Sequence, residues 1–236
     1  MGNCLRKILK PFQQSIPKQM AADSCEIRSS NLPIIFLIGG PGAGKQTQSS
    51  KAAERYNLVN LNTLEIVREE IVSRSEIGIT LAHTLMEGKL VPADVLLELL
   101  KMRMIKSLKH TNGFLLSGFP KHIDQGKLFD KRIKPADLVI FLDVRTSVME
   151  DRIAAKMVTE NERYEDSSHE VQKSINEFEK FNGQITRHYN KQLVVIDGEE
   201  EIPIVFESIC LSLDSVLRKN QSSKEEKLKD DNYIVT

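Results

Sequence analysis

The stretch that decides the fold is PIIFLIGGPGAGKQTQSSKAAERY, residues 33–56. It opens with an unbroken apolar run, residues 34–38, which is typical of a parallel strand buried on both faces. A glycine-rich turn follows and ends at Lys45, where the pattern predicts the start of a helix. Such a turn lets backbone N–H groups surround an anion, while the helix N-terminus and the lysine add positive charge. A turn that only joins a strand to a helix does not need this composition, so we predict a phosphate-binding loop.

The overall composition is that of an ordinary globular domain. Hydrophobic residues make up 40% of the chain and charged residues 28%, which is enough for a sizeable core. Lys+Arg and Asp+Glu both total 33, and this balance argues against a nucleic-acid-binding or membrane-coating protein. Three widely separated cysteines fit a reducing compartment, and no apolar run approaches the roughly 18 residues of a membrane span. We therefore expect a cytoplasmic α/β protein that acts as a monomer.

Both ends of the chain differ in composition from the middle. Residues 219–236 are polar and mixed in charge, and we expect them to be disordered. Residues 1–31 are expected to form a flexible, basic segment. Within it, Gly2 and Cys4 are candidates for myristoylation and palmitoylation, although Arg6 stands where the usual motif has Ser or Thr. A frayed terminus without lipid, or a weak organelle-targeting helix, is the alternative.

Several segments, taken in order, resemble one family. GGPGAGKQTQ is similar to the P-loop GGPGSGKGTQ of nucleoside monophosphate kinases, with Gln46 in place of a glycine. TLEIVREEI, MEGKLVP, GFPKHIDQG and RYED follow in the order of the short-lid adenylate kinases. The resemblance implies a P-loop NTP hydrolase-type α/β fold within residues 32–218, with a five-stranded parallel sheet flanked by helices. It also implies a small helical NMP-binding insertion at about residues 62–91 and a short lid at about residues 155–167, with nucleotides bound at the carboxyl ends of the strands.

The same resemblance assigns residues to two nucleotide sites. ATP would be bound by the P-loop and two lid cations, namely Gly40, Pro41, Gly42, Ala43, Gly44, Lys45, Gln46, Thr47, Arg152 and Lys156. AMP would be bound by Thr63, Arg68, Lys89, Leu90, Val91, Gly118, Phe119, Pro120, Lys121, Gln125 and Arg163. Gln125 would read the adenine edge, because an amide matches both its donor and its acceptor. Taken alone, Arg68 and Lys89 would be ordinary surface residues.

Catalysis would depend on Lys45, Arg152 and Arg163, whose charges would stabilise the phosphoryl group transferred from Mg²⁺–ATP. The family holds its Mg²⁺ through water with an aspartate at the end of a buried strand, and Ser117 stands there in this chain. Asp143, at the end of another predicted strand, is the residue expected to restore part of that water-mediated support.

These substitutions leave two hypotheses. Lys121 and Lys156 replace arginines, which keeps the charge but loses bidentate geometry, and Ser174 replaces a further arginine outright. The first hypothesis is an adenylate kinase of reduced activity that converts Mg²⁺–ATP and AMP into two ADP. The second is a catalytically impaired nucleotide-binding sensor or scaffold protein, tethered to a membrane through its N-terminus. The intact base and P-loop contacts are expected of both, and we favour the enzyme because no substitution deletes a group that the phosphates directly require and the family resemblance favours retention of activity.

Overall fold

The structure is a computed structural model that describes residues 24–87, 91–159 and 164–233. Within these ranges five strands form one parallel sheet in the spatial order β2-β3-β1-β4-β5. The strands are β1 (Ile34–Gly39), β2 (Val59–Asn62), β3 (Phe114–Ser117), β4 (Leu138–Asp143) and β5 (Leu193–Asp197). Because all five run in the same direction, their carboxyl ends meet at one edge of the sheet. The predicted fold class is confirmed.

Helices connect the strands and cover both faces of the sheet. They are α1 (Ser24–Ser29), α2 (Lys45–Tyr56), α3 (Thr63–Val72), α4 (Glu76–Met86), α5 (Ala93–Ser107), α6 (Ile123–Arg132), α7 (Thr146–Thr159), α8 (Tyr164–His188) and α9 (Ile202–Tyr233), with a 3₁₀ turn at Leu108–His110. The pair α3 and α4 follows β2, where the sequence predicts the NMP-binding insertion. Helix α8 begins at Tyr164, within residues 155–167 where the sequence analysis expects the lid.

The packing of the central strand β1 fixes the start of the predicted phosphate-binding loop. Its side chains alternate between two apolar clusters, one on each face of the sheet. On one face Phe36 makes edge-to-face contacts with Phe119, Phe129 and Tyr189, at ring-centroid distances of 5.5, 5.2 and 5.6 Å. All four rings are at most 2% exposed. Large aromatic side chains packed in this way contribute much of a core's stability, so the carboxyl end of β1 is held firmly.

The amino-terminal boundary differs from the expected one at residue 32. Helix α1 lies within the segment that the sequence analysis expects to be flexible, and its Ile27 is fully buried. Arg28 donates to the carbonyls of residues 131–133 at the end of α6. These carbonyls have no partner within their own helix, so the guanidinium caps them. Short-range sequence patterns cannot reveal this contact, because its partners are more than 100 residues apart.

The carboxyl-terminal boundary also differs. Helix α9 continues to Tyr233, whereas disorder was expected from residue 219. Residues 219–233 contain neither glycine nor proline, and they include four Lys and two Glu, which favour a helix. A polar composition therefore does not end this helix, since nothing in the segment interrupts the backbone pattern.

Candidate active site

A cleft of about 910 Å³ opens at the carboxyl edge of the sheet. Its walls come from the loop after β1, the start of α3, the turn after β3, and the helices α7 and α8. It brings together predicted residues of both nucleotide sites: Pro41, Gly42, Gly44, Lys45, Gln46, Thr47, Thr63, Gly118, Pro120, Lys121, Arg152 and Lys156. Such a cleft, with several convergent cations, is suited to binding a polyanion.

The loop after β1 has the backbone of a phosphate cradle. Gly42 and Gly44 have φ angles of +74° and +85°, in the left-handed region that favours glycine. A Cβ atom on Gly42 would also lie 2.7 Å from the carbonyl oxygen of Met149. Helix α2 begins at Lys45, as predicted, and Gly44 before it provides no side chain to cap the first N–H groups. The helix N-terminus is therefore available to an anion.

Lys45 lies where this loop meets the turn after β3. Its Nζ atom donates to the carbonyl oxygen of Gly40 at 2.6 Å. A Cβ atom on Gly118 would lie 4.0 Å from the Lys45 Cε atom, so the two segments are in close proximity. Burial and, to a smaller extent, the positive charge of Lys121 together lower the pKa of Lys45 to about 8. A bound phosphate would relieve both effects, because it would supply the negative charge that this ammonium lacks.

Arg152 enters the cleft from α7 and is held by the loop after β5. Its two terminal nitrogens donate to the carbonyls of Gly198 at 2.8 Å and Glu199 at 3.3 Å. The Glu199 carboxylate in turn binds Arg145 through Nε at 2.9 Å and Nη2 at 2.6 Å. These hydrogen bonds from Arg145 lower the pKa of Glu199 to about 2. The guanidinium of Arg152 is thus anchored before any ligand arrives.

Sequence reasoning missed Arg145 and Glu199. The two residues are 54 positions apart, and charged residues at the ends of strands are common on protein surfaces. The only signal available is that each follows a predicted strand, β4 or β5. Parallel neighbouring strands place the residues that follow them at the same edge.

Of the two residues predicted to hold Mg²⁺ through water, Ser117 lines the cleft and Asp143 does not. Ser117 ends β3, is 4% exposed and lines the cleft together with Thr47. Asp143 is exposed at the end of β4 and is outside the lining. Within the described ranges, no three His, Cys, Asp or Glu side chains are placed to share a metal ion. Ser117 and Thr47 thus present hydroxyl oxygens to the cleft, and oxygen atoms are the ligands that hard cations such as Mg²⁺ prefer.

Two predicted AMP-contacting residues lie away from the cleft lining. Arg68 is exposed on α3. The Oε1 atom of Gln125 accepts a hydrogen bond from the backbone N–H of Lys121 at 2.9 Å. This bond closes the turn before α6, so the amide oxygen already has a partner within the protein.

Other predicted residues lie behind the cleft or beyond the described ranges. Gly40, Ala43 and Phe119 are buried, and Val91 is half-buried and packs against the core. Lys89, Leu90 and Arg163 lie outside the described residues, as do Gly2 and Cys4. Their assigned roles remain predictions.

One wall of the cleft carries acidic residues that were not expected there. Glu170, Ser174 and Glu177 recur on one face of α8 at intervals of four and three residues, and all three line the cleft. Ser174 is the position where the family resemblance expects an arginine. The helical spacing of the two glutamates around it is the signal that could have revealed this wall.

Comparisons with known proteins agree with this geometry. The adenylate kinase family model matches residues 37–194. Adenylate kinase isoenzyme 5 of Mus musculus is 37% identical over 185 residues, which are 78% of this chain and 33% of that protein. Adenylate kinase isoenzyme 1 of Caenorhabditis elegans is 32% identical over 196 residues, which are 82% of this chain and 93% of that protein. Adenylate kinase isoenzyme 1 of Rattus norvegicus is 31% identical over 78% of this chain and 95% of that protein. The chain thus spans a third of the first relative and nearly the whole of the other two. It belongs to the adenylate kinase family.

Proposed function

We propose that this protein is a nucleoside monophosphate kinase that transfers the terminal phosphate of Mg²⁺–ATP to AMP and so forms two ADP. The observation that carries the proposal is the desolvated ammonium of Lys45 at the first turn of α2, in a cleft that Lys121 and Arg152 also line. These three cations come from three different elements and surround one volume. Such an arrangement suits two phosphate chains that must meet end to end.

In the proposed reaction, an oxygen of the AMP phosphate attacks the γ-phosphorus of ATP in line. A new P–O bond forms while the bond from the γ-phosphorus to the β–γ bridging oxygen breaks, and the departing ADP keeps that electron pair. The backbone of the loop and Lys45 would hold the donor phosphates, and Lys121 would hold the acceptor phosphate. Arg152 and Arg163 would offset the charge that spreads over the transferred group. Closure of the lid would keep water out.

We further propose that turnover is slower than the fold alone would allow. Losing one preorganised donor of charge stabilisation typically costs about 10²–10³ in rate. Ser117 supplies no negative charge to the Mg²⁺, and Ser174 supplies no positive charge to the phosphates. Glu170 and Glu177 flank Ser174 on the cleft wall and would repel the same phosphates.

The acidic wall also supports a second candidate function. A nucleotide-binding sensor or scaffold would keep the loop and its lysine while lacking the charge needed for rapid transfer. This alternative rests on Glu170, Ser174 and Glu177, because Ser174 stands in place of an arginine and the two glutamates add negative charge to the cleft wall.

A coupled assay of ADP formation distinguishes the two functions. Purified protein would be given Mg²⁺–ATP with AMP, UMP or CMP, and Lys45→Met purified in the same way would be the control for contaminating kinases. ADP formation with AMP that is absent from the control supports the kinase. Binding of ATP without ADP formation above the control contradicts it and favours the sensor.

We also propose that the protein is cytoplasmic and is held at a membrane surface by lipid on its N-terminus. Gly2 and Cys4 carry this proposal from the sequence alone, because two acyl chains beside basic residues are enough for stable anchoring. In the part of the chain that the structure describes, no helix has the length and apolarity to cross a membrane. Labelling of cells with an alkyne analogue of myristate tests the proposal, since label is expected in the wild type and not in Gly2→Ala.

A further inference from the structure

A single carboxylate joins the phosphate loop to the α3–α4 insertion. Glu65, in the first turn of α3, accepts a hydrogen bond from Gln46 Nε2 at 3.3 Å and another from Asn62 Nδ2 at 3.2 Å. Both bonds end on the same oxygen, Oε1. Gln46 directly follows Lys45, so one side of this junction is the phosphate-binding turn itself.

The other side of the junction is the hinge at which the chain leaves the sheet. Asn62 is the last residue of β2, where it pairs in register with Ser117, and it is also the N-cap of α3. Its Oδ1 atom accepts from the backbone N–H of Leu64 at 3.0 Å. The amide of Asn62 thus holds the first turn of α3 with one end and Glu65 with the other. The hydrogen bonds of this amide therefore connect Glu65 to the point at which α3 leaves the sheet.

A carboxylate at the position of Glu65 is electrostatically unfavourable for phosphate binding in the cleft. Gln46, Asn62 and Leu64 line the same cleft as Lys45, Lys121 and Arg152, whose positive charges suit anions. A negative charge at the rim of this cleft weakens phosphate binding through Coulomb repulsion, so we expect Glu65 to have a structural role that offsets this cost. The two amide donors, together with the positive N-terminal end of α3, stabilise Glu65 at this position.

We propose that Glu65 is a positioning residue that couples the phosphate loop to the orientation of α3. This inference rests on the proposed kinase function and adds a specific link between its two nucleotide sites. A donor nucleotide that fixes the first turn of α2 also fixes Gln46, and through Glu65 and Asn62 it fixes the hinge of the acceptor segment. Occupation of the loop therefore raises the affinity for AMP, and by linkage AMP raises the affinity for the donor.

Calorimetry without turnover measures this coupling. The dissociation constant of AMP would be determined with and without Mg²⁺ and the non-hydrolysable analogue adenylyl imidodiphosphate, and their ratio is the coupling factor. Glu65→Ala is expected to reduce the factor about two- to tenfold, the net worth of a typical hydrogen bond. Gln46→Ala should reduce it similarly, and the double variant no further, because both changes remove the same link. Glu65→Gln keeps an acceptor and should retain most of the coupling.

Glu69→Gln is the matched control, since Glu69 lies one turn further along α3 and pairs with Arg103 instead. Its coupling factor should equal that of the wild type. An unchanged factor in Glu65→Ala, additive losses in the double variant, or an equal loss in the control would each overturn the role of Glu65. Binding of both nucleotides without ADP formation would contradict the kinase function but would leave the coupling measurable. A protein that binds neither nucleotide would overturn both proposals.

Discussion

The two halves of the cleft hold their charged groups in different ways. On the donor side, Lys45 is bonded to the Gly40 carbonyl and Arg152 to the carbonyls that follow β5. On the acceptor side, Arg68 and Lys121 are exposed, and Gln125 is engaged by the backbone of its own turn. In the proposed kinase, the protein itself would thus fix the donor groups, whereas the acceptor groups would take up their positions on the ligand.

The sheet order explains the difference between Lys45, at the end of the loop after β1, and Arg68, on the helix after β2. The phosphate loop follows β1, which has a strand on each side and apolar clusters on both faces. The α3–α4 insertion follows β2, which is an edge strand of four residues. An element attached at an edge has fewer packed neighbours and moves at lower cost. Changes on the donor side should therefore lower the rate of transfer, whereas changes on the acceptor side should mainly raise the KM for AMP.

The largest effect is expected from Lys45→Met. Removing the ammonium should lower kcat/KM by about 10²–10³, because its charge is available to the phosphates without reorganisation. The coupled ADP assay measures this loss. Lys51→Met, on an exposed position of the same helix, should retain wild-type activity. A loss of less than tenfold for Lys45→Met would contradict a preformed donor half.

A change of pH should reproduce part of that effect in the wild type. The pKa of Lys45 is lowered to about 8, so its ammonium loses a proton well below the pH at which an ordinary lysine does. Affinity for adenylyl imidodiphosphate should therefore be steady below pH 8 and fall about tenfold per pH unit above it. Calorimetry in buffers from about pH 6.5 to 9.5 measures this profile, with a proton taken up on binding near pH 8. Lys45→Arg should give a flat profile, and a flat wild-type profile would contradict the burial of this charge.

Ser117→Asp should restore negative charge where the Mg²⁺ of the donor nucleotide is supported. We expect kcat to rise about three- to tenfold and the Mg²⁺ requirement to fall, because a carboxylate orders the metal's water shell more strongly than a hydroxyl. Since Ser117 is 4% exposed, the buried carboxylate should also lower the Tm. Initial rates over a Mg²⁺ titration and a thermal melt measure the two effects. A fall in kcat with an unchanged Tm would show that this position does not face the metal.

The smallest effect is expected from Gln125→Glu on the acceptor side. The variant keeps an oxygen for the Lys121 backbone, replaces the amide donor with a carboxylate oxygen and adds one negative charge. We expect the KM for AMP to rise about two- to tenfold while kcat and the KM for ATP stay unchanged. Steady-state kinetics with each substrate varied in turn measures this split. A fall in kcat as large as the rise in the KM for AMP would show that Gln125 acts in the transfer step. It would contradict the difference between the donor and acceptor sides of the cleft.

The strand–loop–helix segment from β1 to α2 could be predicted from the sequence because its determinants are local. An apolar run, a glycine-rich turn and Lys45 at the start of a helix occur within about 15 residues, and each has a direct physical reason. The order of the strands could be inferred only through the family resemblance.

What the sequence could not predict depends on contacts between distant residues. Arg28 reaches residues 131–133, and Arg145 reaches Glu199, without any periodic pattern that marks either pair. The oxygen of Gln125 is taken by a turn whose geometry depends on how α6 packs. Composition failed at the carboxyl end, because helix-forming polar residues and disordered ones are largely the same residue types.

Amide hydrogen exchange tests most directly whether the donor half is formed before nucleotide binds and the acceptor half afterwards. The free protein should already show slow exchange in α2 beyond its first turn, and Mg²⁺ with adenylyl imidodiphosphate should change that protection less than about tenfold. Addition of AMP should then slow exchange in α3 and α6 by more than about tenfold. Equal slowing in both halves, or rapid exchange throughout α2 in the free protein, would contradict a preformed donor half.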